Sequence, residues 1–347
     1  MKRSLASAVV LATVCTLAAS GAANAGTTGK AAATTARCST AVALTGFDDH
    51  LDETTFAGTP VANLSALAPR PDGSLLALSD RSELFTLDAD RNPTAVVALR
   101  DEEGAELDSE GLVADRDGTL WVSSESGPSV RHYTADGTLL GALPLPPELQ
   151  VAPAGRAQEN LSLEGLTLSA DGLTLFADDE QELLGDADGV LRIQTWHRAD
   201  LTAPFALAAQ YAYQADPGLG VPELIATPDG RLVLVEREFI AQVGNTVRLY
   251  VADPATGTDV GSVQSLTTDS PVLAKTLLAD LVTCPTLGAV AEQPQLNPLL
   301  DNVEGMALVS NQGDRRLHLL LVSDDNQRPT QTTRFYDLDV TLPVRTS

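Results

Sequence analysis

Beyond residue 38 the chain is written in short apolar runs of Val, Leu and Ala, each bounded by Asp-Gly, Pro-Asp-Gly or Gly-Asn turn pairs. Runs of this length between turn pairs predict strands rather than helices. The runs recur as a unit. A phrase such as Glu110-Gly111-Leu112 leads to Asp117-Gly118 and then to Leu120-Trp121-Val122-Ser123-Ser124-Glu125. The same order recurs from Ser65, Glu164, Glu223 and Glu304, the last through a longer turn at Gly313-Asp314. The first four Asp-Gly turns stand 45, 54 and 58 residues apart. One hairpin per repeat at this spacing predicts the blades of an all-β, single-domain β-propeller. Five units are plain. The gap between Glu236 and Glu304 has room for another, with strands near Val247–Ala252 and Ala274–Leu281, so six blades are favoured, with five or seven allowed. Phe335–Val340 is expected to close the ring beside the strand at Val42–Thr45, joining the N- and C-terminal segments.

The start of the chain follows another pattern. Lys2 and Arg3 precede an apolar run from Leu5 to Ala19, and Ala23-Asn24-Ala25 is a small-x-small cleavage site. Residues 1–25 therefore predict a secretory signal peptide rather than an anchor, because the run is short and rich in Ala. Residues 26–37 are expected to be a flexible leader, and 38–342 the propeller. No later stretch approaches a membrane span, so no membrane association is expected. After cleavage Cys38 and Cys284 remain, and in an oxidising compartment they are expected to pair, two buried free thiols being the alternative. The predicted location is extracellular, and a monomer is expected.

Composition narrows the partners. The chain carries 47 acidic and 22 basic residues, a formal charge of −25. Losing Lys2 and Arg3 on export leaves 47 acidic against 20 basic, or −27. Such a balance excludes nucleic acid as a partner recognised through its phosphates.

Part of that charge is placed in register. Residues equidistant from a hairpin tip face each other. On that count Glu110 faces Glu125, Glu164 faces Asp179 and Glu223 faces Glu236. Glu304 faces Asp324 or Asp325, and Ser65 faces Asp80. Opposed carboxylates are unfavourable unless something neutralises them. If these hairpins line the channel, their open ends form a carboxylate ring at one mouth. Calcium, which takes six to eight oxygen ligands, suits such a ring. The alternative is a set of solvated strand ends. Glu110, Glu125, Glu164, Asp179, Glu223, Glu236, Glu304 and Asp324 are the candidate ligands, with Asp80 and Asp325 beside them.

The phrases Asp301-Asn302-Val303-Glu304-Gly305-Met306-Ala307, Leu321-Val322-Ser323-Asp324-Asp325-Asn326 and Ser109-Glu110-Gly111-Leu112 resemble the phytase-like family, whose description is esterase-like activity of phytase. So do Glu164–Ser169, Val235–Phe239 and Leu78–Arg81, and the likeness spans about residues 38–340. The resemblance implies a secreted bacterial β-propeller that hydrolyses a phosphoester or carboxylic ester.

The residues restrict the chemistry further. No Gly-x-Ser-x-Gly elbow, His-Glu-x-x-His pair or Gly-rich phosphate loop occurs. His132, His197 and His318 fall within strand-like runs and read as structural. Asp88–Asn92 and Asp186–Gly189 spell partial calcium loops without the terminal Glu and read as turns. Metal-assisted hydrolysis remains, with a small-molecule phosphoester or ester as substrate. Arg81 and Arg237, each next to a ring carboxylate, either grip a phosphate or balance charge. The competing reading is a non-catalytic propeller that binds a ligand or a protein partner, its carboxylates serving structure or recognition.

Overall fold

A computed structural model describes residues 36–345. The expected signal peptide, and the leader up to residue 35, lie outside the described residues. Ala36–Arg37, at the end of that leader, already pair with Leu44 and Ala43.

Five antiparallel sheets make five blades. Blade I holds Leu64–Pro69, Leu75–Ser79, Glu83–Leu87 and Pro93–Ala98. Blade II holds Ser109–Ala114, Leu120–Ser124, Ser129–Tyr133 and Leu139–Ala142. Blade III holds Leu163–Leu168, Thr174–Asp179, Val190–His197 and Ala206–Gln214. Blade IV holds Gly220–Ala226, Leu232–Ile240, Gly244–Ala252 and Lys275–Asp280. Blade V holds Asn302–Gln312, Arg316–Asp324 and Phe335–Thr341, and is completed by Val42–Asp48. The count is thus five, the lower of the numbers allowed, and not the favoured six. The two strands assigned to an extra unit are the third and fourth strands of blade IV, separated by the long loop 253–274. A loop of that length between sheet neighbours imitates a new repeat when only the turn spacing is read.

The ring closes as expected, with Val42 opposite Val340 and Leu44 opposite Leu338. Cys38, just before that strand, is disulfide-bonded to Cys284 in the segment joining blades IV and V.

The Asp-Gly tips of blades I, II and IV are three-residue loops and that of blade III a four-residue loop, not the two-residue turns that simple symmetry assumes. In blade II the Gly118 amide donates to Asp115 O while the Asp115 amide donates to Thr119 O. Gly73, Gly118, Gly172 and Gly230 all sit at φ of +81° to +86°, a left-handed position that favours glycine.

The first strand of each blade packs on the first strand of the next, around one axis. The Glu-Gly-Leu phrase serves this approach. A Cβ on Gly165 would lie 2.7 Å from Leu224 N and 2.9 Å from Glu223 Cα in blade IV. One on Gly111 would lie 2.6 Å from Glu164 O in blade III, and one on Gly305 2.9 Å from Ser65 O in blade I. One residue further along the strands, Leu67, Leu112, Leu166, Ile225 and Met306 line an apolar cavity of about 250 Å³ at the tip end of the channel. The channel therefore has an apolar end and an acidic one.

Gly165→Ala is expected to cost about 1–3 kcal/mol in thermal or denaturant unfolding, because blade IV backbone as well as the Asp178 carboxylate blocks the new methyl. Gly46→Ala, with open space around its Cβ and an ordinary φ, should stay within about 0.5 kcal/mol of wild type.

Candidate functional site

The acidic end is built by β-bulges. Between tip and mouth the first two strands keep one register, with Leu112 opposite Val122, Leu166 opposite Ala177 and Gly305 opposite Val322, blade V shifting once more near its tip between Leu308 and Ser310. Toward the channel mouth the register slips by one. Ser109 then faces Ser124, Leu163 faces Asp179 and Val303 faces Ser323. The slip falls at Ser65 in blade I, Glu110-Gly111 in blade II, Glu164-Gly165 in blade III and Glu304 in blade V. Blade IV slips just before Glu223, which faces Val235. A bulge leaves one residue unpaired and re-aims its side chain.

The expected face-to-face pairs therefore do not form. Glu125, expected opposite Glu110, donates its amide to Asp108 O instead. The physical reason is a one-residue slip, which turns every later side chain to the other face of its strand. At the mouth, the second strands present Asp80, Glu125, Glu180, Arg237 and Asp324, opposite Asn63, Asp108, Ser162, Gly220 and Asn302. In blade III this places Glu180 where Asp179 was expected, and in blade IV Arg237 where Glu236 was expected.

Two triads of carboxylates result. Asp108, Glu110 and Glu125 bring one oxygen each within 4.8 Å of one another, and so do Glu125, Glu164 and Glu180. Glu125 belongs to both, and it also accepts the Ser162 amide at 2.7 Å. Glu304 is held differently. It accepts from Arg237 Nη2 and Asn302 Nδ2, each at 2.8 Å, and Arg237 also lies 3.5 Å from Glu180.

Other expected members of the ring lie elsewhere. Glu236 is buried in an ion cluster of blade IV, accepting from Lys275 Nζ at 2.5 Å and Tyr213 Oη at 2.6 Å. Asp179 is buried beside Arg192, Asp186 and Glu125 with no hydrogen-bond partner on either oxygen. Glu223 accepts the Leu224 amide at 2.9 Å, and the Met306 and Leu166 amides of neighbouring blades also face it. Asp324 accepts the Asn326 amide at 2.7 Å, and Asp325 joins blades V and I by accepting the Asn63 amide at 3.0 Å. Arg81 is exposed, 3.6 Å from Asp80.

Asp108, Asp178 and Glu180 were missed in the sequence. Their signal was the doubling of acidic residues in Asp108-Ser-Glu110 and Asp178-Asp179-Glu180. The four histidines are occupied locally: His132 stacks on Trp121 at 4.0 Å between ring centroids, and His50, His197 and His318 meet Asp48, Thr174 and Asp339. Of the two partial calcium loops, Asp88 caps the Asp90 and Asn92 amides, and Asp186 is paired with Arg192 and Arg156.

Burial sets the electrostatics. It raises Glu110 and Glu164 well above the usual carboxylate range, and neighbouring carboxylates raise them further. Glu125 is pushed up to about 7, chiefly by burial, against the pull of the Ser162 amide. Glu304 is also pushed up to about 7 by burial, the Arg237 guanidinium pulling the other way. Asp178 is raised by burial and then by Glu223, and neither of its oxygens has a hydrogen-bond partner. Glu110 and Glu164 are more than nine-tenths buried, and no N–H or hydroxyl among the described residues donates to either carboxylate.

These shifts predict a pH dependence of definite sign. A carboxyl whose folded pKa is raised stabilises the fold only while protonated, so its contribution is lost as pH rises from its unfolded value, about 4.3, through its folded one. In the presence of a chelator the thermal midpoint should fall between pH 5 and pH 8, through the value of about 7 for Glu125 and Glu304. Calcium should raise the midpoint most at the alkaline end. A midpoint in chelator that rises over this range would contradict the burial of these charges.

No curated protein sequence matches this chain. Among solved structures it is similar to a gluconolactonase from Xanthomonas campestris, at 15% identity and a TM-score of 0.43, covering 82% of this chain and 73% of that one. It is similar also to the calcium-binding protein regucalcin from Agrobacterium tumefaciens, at 15% identity and 0.41, covering 82% and 79%. A virginiamycin B lyase from Staphylococcus aureus shares 11% identity at 0.39, over 82% of each chain. Likenesses this slight carry no argument about this chain. The family model for phytase-like proteins, described as esterase-like activity of phytase, matches residues 59–327. With most of the propeller inside that match, the chain belongs to the phytase-like family.

Proposed function

We propose that the chain is a secreted, calcium-dependent hydrolase of phosphoesters or carboxylic esters, acting as a monomer on a small molecule at the acidic mouth of the channel. The observation that carries this reading is the pair of buried carboxylates, Glu110 and Glu164, that no protein donor satisfies. Buried charge in a native fold has a partner, and these two face other carboxylates instead. An all-oxygen, all-acidic donor set suits a hard divalent cation and not zinc, whose sites favour His and Cys.

Asp108, Glu110, Glu125, Glu164 and Glu180 would hold the metal. When bound, calcium supplies neutralisation of a phosphate or carbonyl oxygen and a more acidic water. Glu304 is already engaged by Arg237 and Asn302, so its role is to fix that guanidinium at the rim of the site. Of the two readings for the arginines, this geometry favours charge balance for Arg237. Arg81, with most of its side chain in solvent, is the one free to meet an anionic substrate. Asp324, raised by burial and by Glu304, has the proton affinity of a base. The cleavable segment 1–25 and the Cys38–Cys284 bond support export.

A screen of the purified protein against phytate, p-nitrophenyl phosphate, bis-p-nitrophenyl phosphate and p-nitrophenyl esters, with calcium and with chelator, tests the reading. Turnover of at least one should need calcium and fall on the order of 10–100-fold or more in Glu164→Gln and Glu304→Gln, with the fold intact by circular dichroism. Silence on every substrate, with calcium still bound, would replace the enzyme by a propeller that binds a ligand or partner.

A further inference from the structure

The geometry points to two cation positions at this mouth, not one, joined by Glu125 as a shared bridging carboxylate. The inference rests on the metal reading above and sharpens it. One position lies among Asp108, Glu110 and Glu125, the other among Glu125, Glu164 and Glu180. Only Glu125 is common to both triads, and a carboxylate has two oxygens, one for each side.

Two independent features support two ions over one. Each triad has its own buried carboxylate without a protein donor, Glu110 in the first and Glu164 in the second. A single ion seated in either triad would leave the buried carboxyl of the other with a proton as its only compensation. The charge count agrees. When ionised, the five carboxylates carry five negative charges, and one divalent cation would leave three of them at the mouth. Two would leave one, at a mouth where Arg237, already held by Glu304 at 2.8 Å, also lies 3.5 Å from Glu180. Arg237 also marks where the metal positions stop. At that corner a guanidinium stands in the place that acidic side chains occupy in the other four blades, so no third triad forms around Glu304.

Calcium titration of the chelator-treated protein, by calorimetry with elemental analysis after dialysis, reads the stoichiometry directly. Wild type should bind two ions per chain. Asp108→Asn should lose one and Glu164→Gln the other. Glu125→Gln should weaken both roughly 10- to 100-fold or more. One ion in wild type, or two ions that Glu125→Gln leaves unchanged, would overturn the bridged pair while leaving a metal site standing. No ion at all would overturn the metal reading beneath it as well. The wild-type count decides the matter even if a variant fails to fold.

Discussion

The distance between neighbouring first strands governs this molecule. Five blades around one axis leave little room, and the chain meets that limit by removing side chains where backbone faces backbone. Gly111, Gly165 and Gly305 each stand where a methyl would strike the next blade. Blades I and IV carry Ala66 and Leu224 at the corresponding step, both fully buried, so the ring is closed by unequal contacts and not by perfect symmetry. The same closeness carries the carboxylate before each glycine toward the axis. Packing and chemistry are thus two results of one geometric condition: the glycine permits the approach, and the approach crowds the acids.

The crowding is strong because the acids are buried. Beneath the acidic layer lies an apolar one, and around it the blades are stapled by hydrogen bonds that leave few donors free for the mouth. Ser123 binds both the Gly111 amide and Glu164 O, Glu125 accepts the Ser162 amide, and Asp325 accepts the Asn63 amide. Glu223 spends its oxygens on backbone amides and closes the floor. The crowding of carboxylates is greatest on the side of the mouth formed by blades II and III, where both triads lie, although Asp80 Oδ1 and Asn63 Oδ1 of the blade I side also lack a partner. On the opposite side Glu304 is hydrogen-bonded by Arg237, Asn302 and Ser65. The ring is therefore asymmetric, and this asymmetry assigns each carboxylate its task.

The repeated hairpins and the closing strand could be read from the chain because each rests on local pattern, and the cysteine pairing because the expected cleavage leaves only Cys38 and Cys284. Asp-Gly marks a turn wherever it occurs, and Phe335–Val340 has strand character whatever its neighbours. The blade count was harder, since loop 253–274 separates two strands of one sheet by nearly the interval that separates two blades elsewhere. The site was partly visible. That Glu110, Glu164 and Glu304 gather at one end follows from their shared distance to the tips. Which residue on the second strand joins them does not. That choice depends on a bulge, and a bulge is fixed by contact between blades that no single hairpin contains. Hence Glu180 and Arg237 displaced Asp179 and Glu236 by one step. The departure was informative, since it converted an acid into a fixed cation at one corner of the mouth.

The route of the chain through blade V has a further consequence. Its outer part is made from Val42–Asp48, among the earliest residues of the propeller, while the strand it pairs with, Phe335–Thr341, is among the latest. The last blade cannot be completed until nearly the whole chain is available, and contacts of such long sequence separation form slowly. Assembly must therefore run from four locally formed sheets to a final docking of the two ends, with the first-made strand waiting for the last. The bond between Cys38 and Cys284 lies beside that docking point. It serves as a record of completion: once it has formed, the waiting strand can no longer leave, and the ring cannot reopen at its one seam.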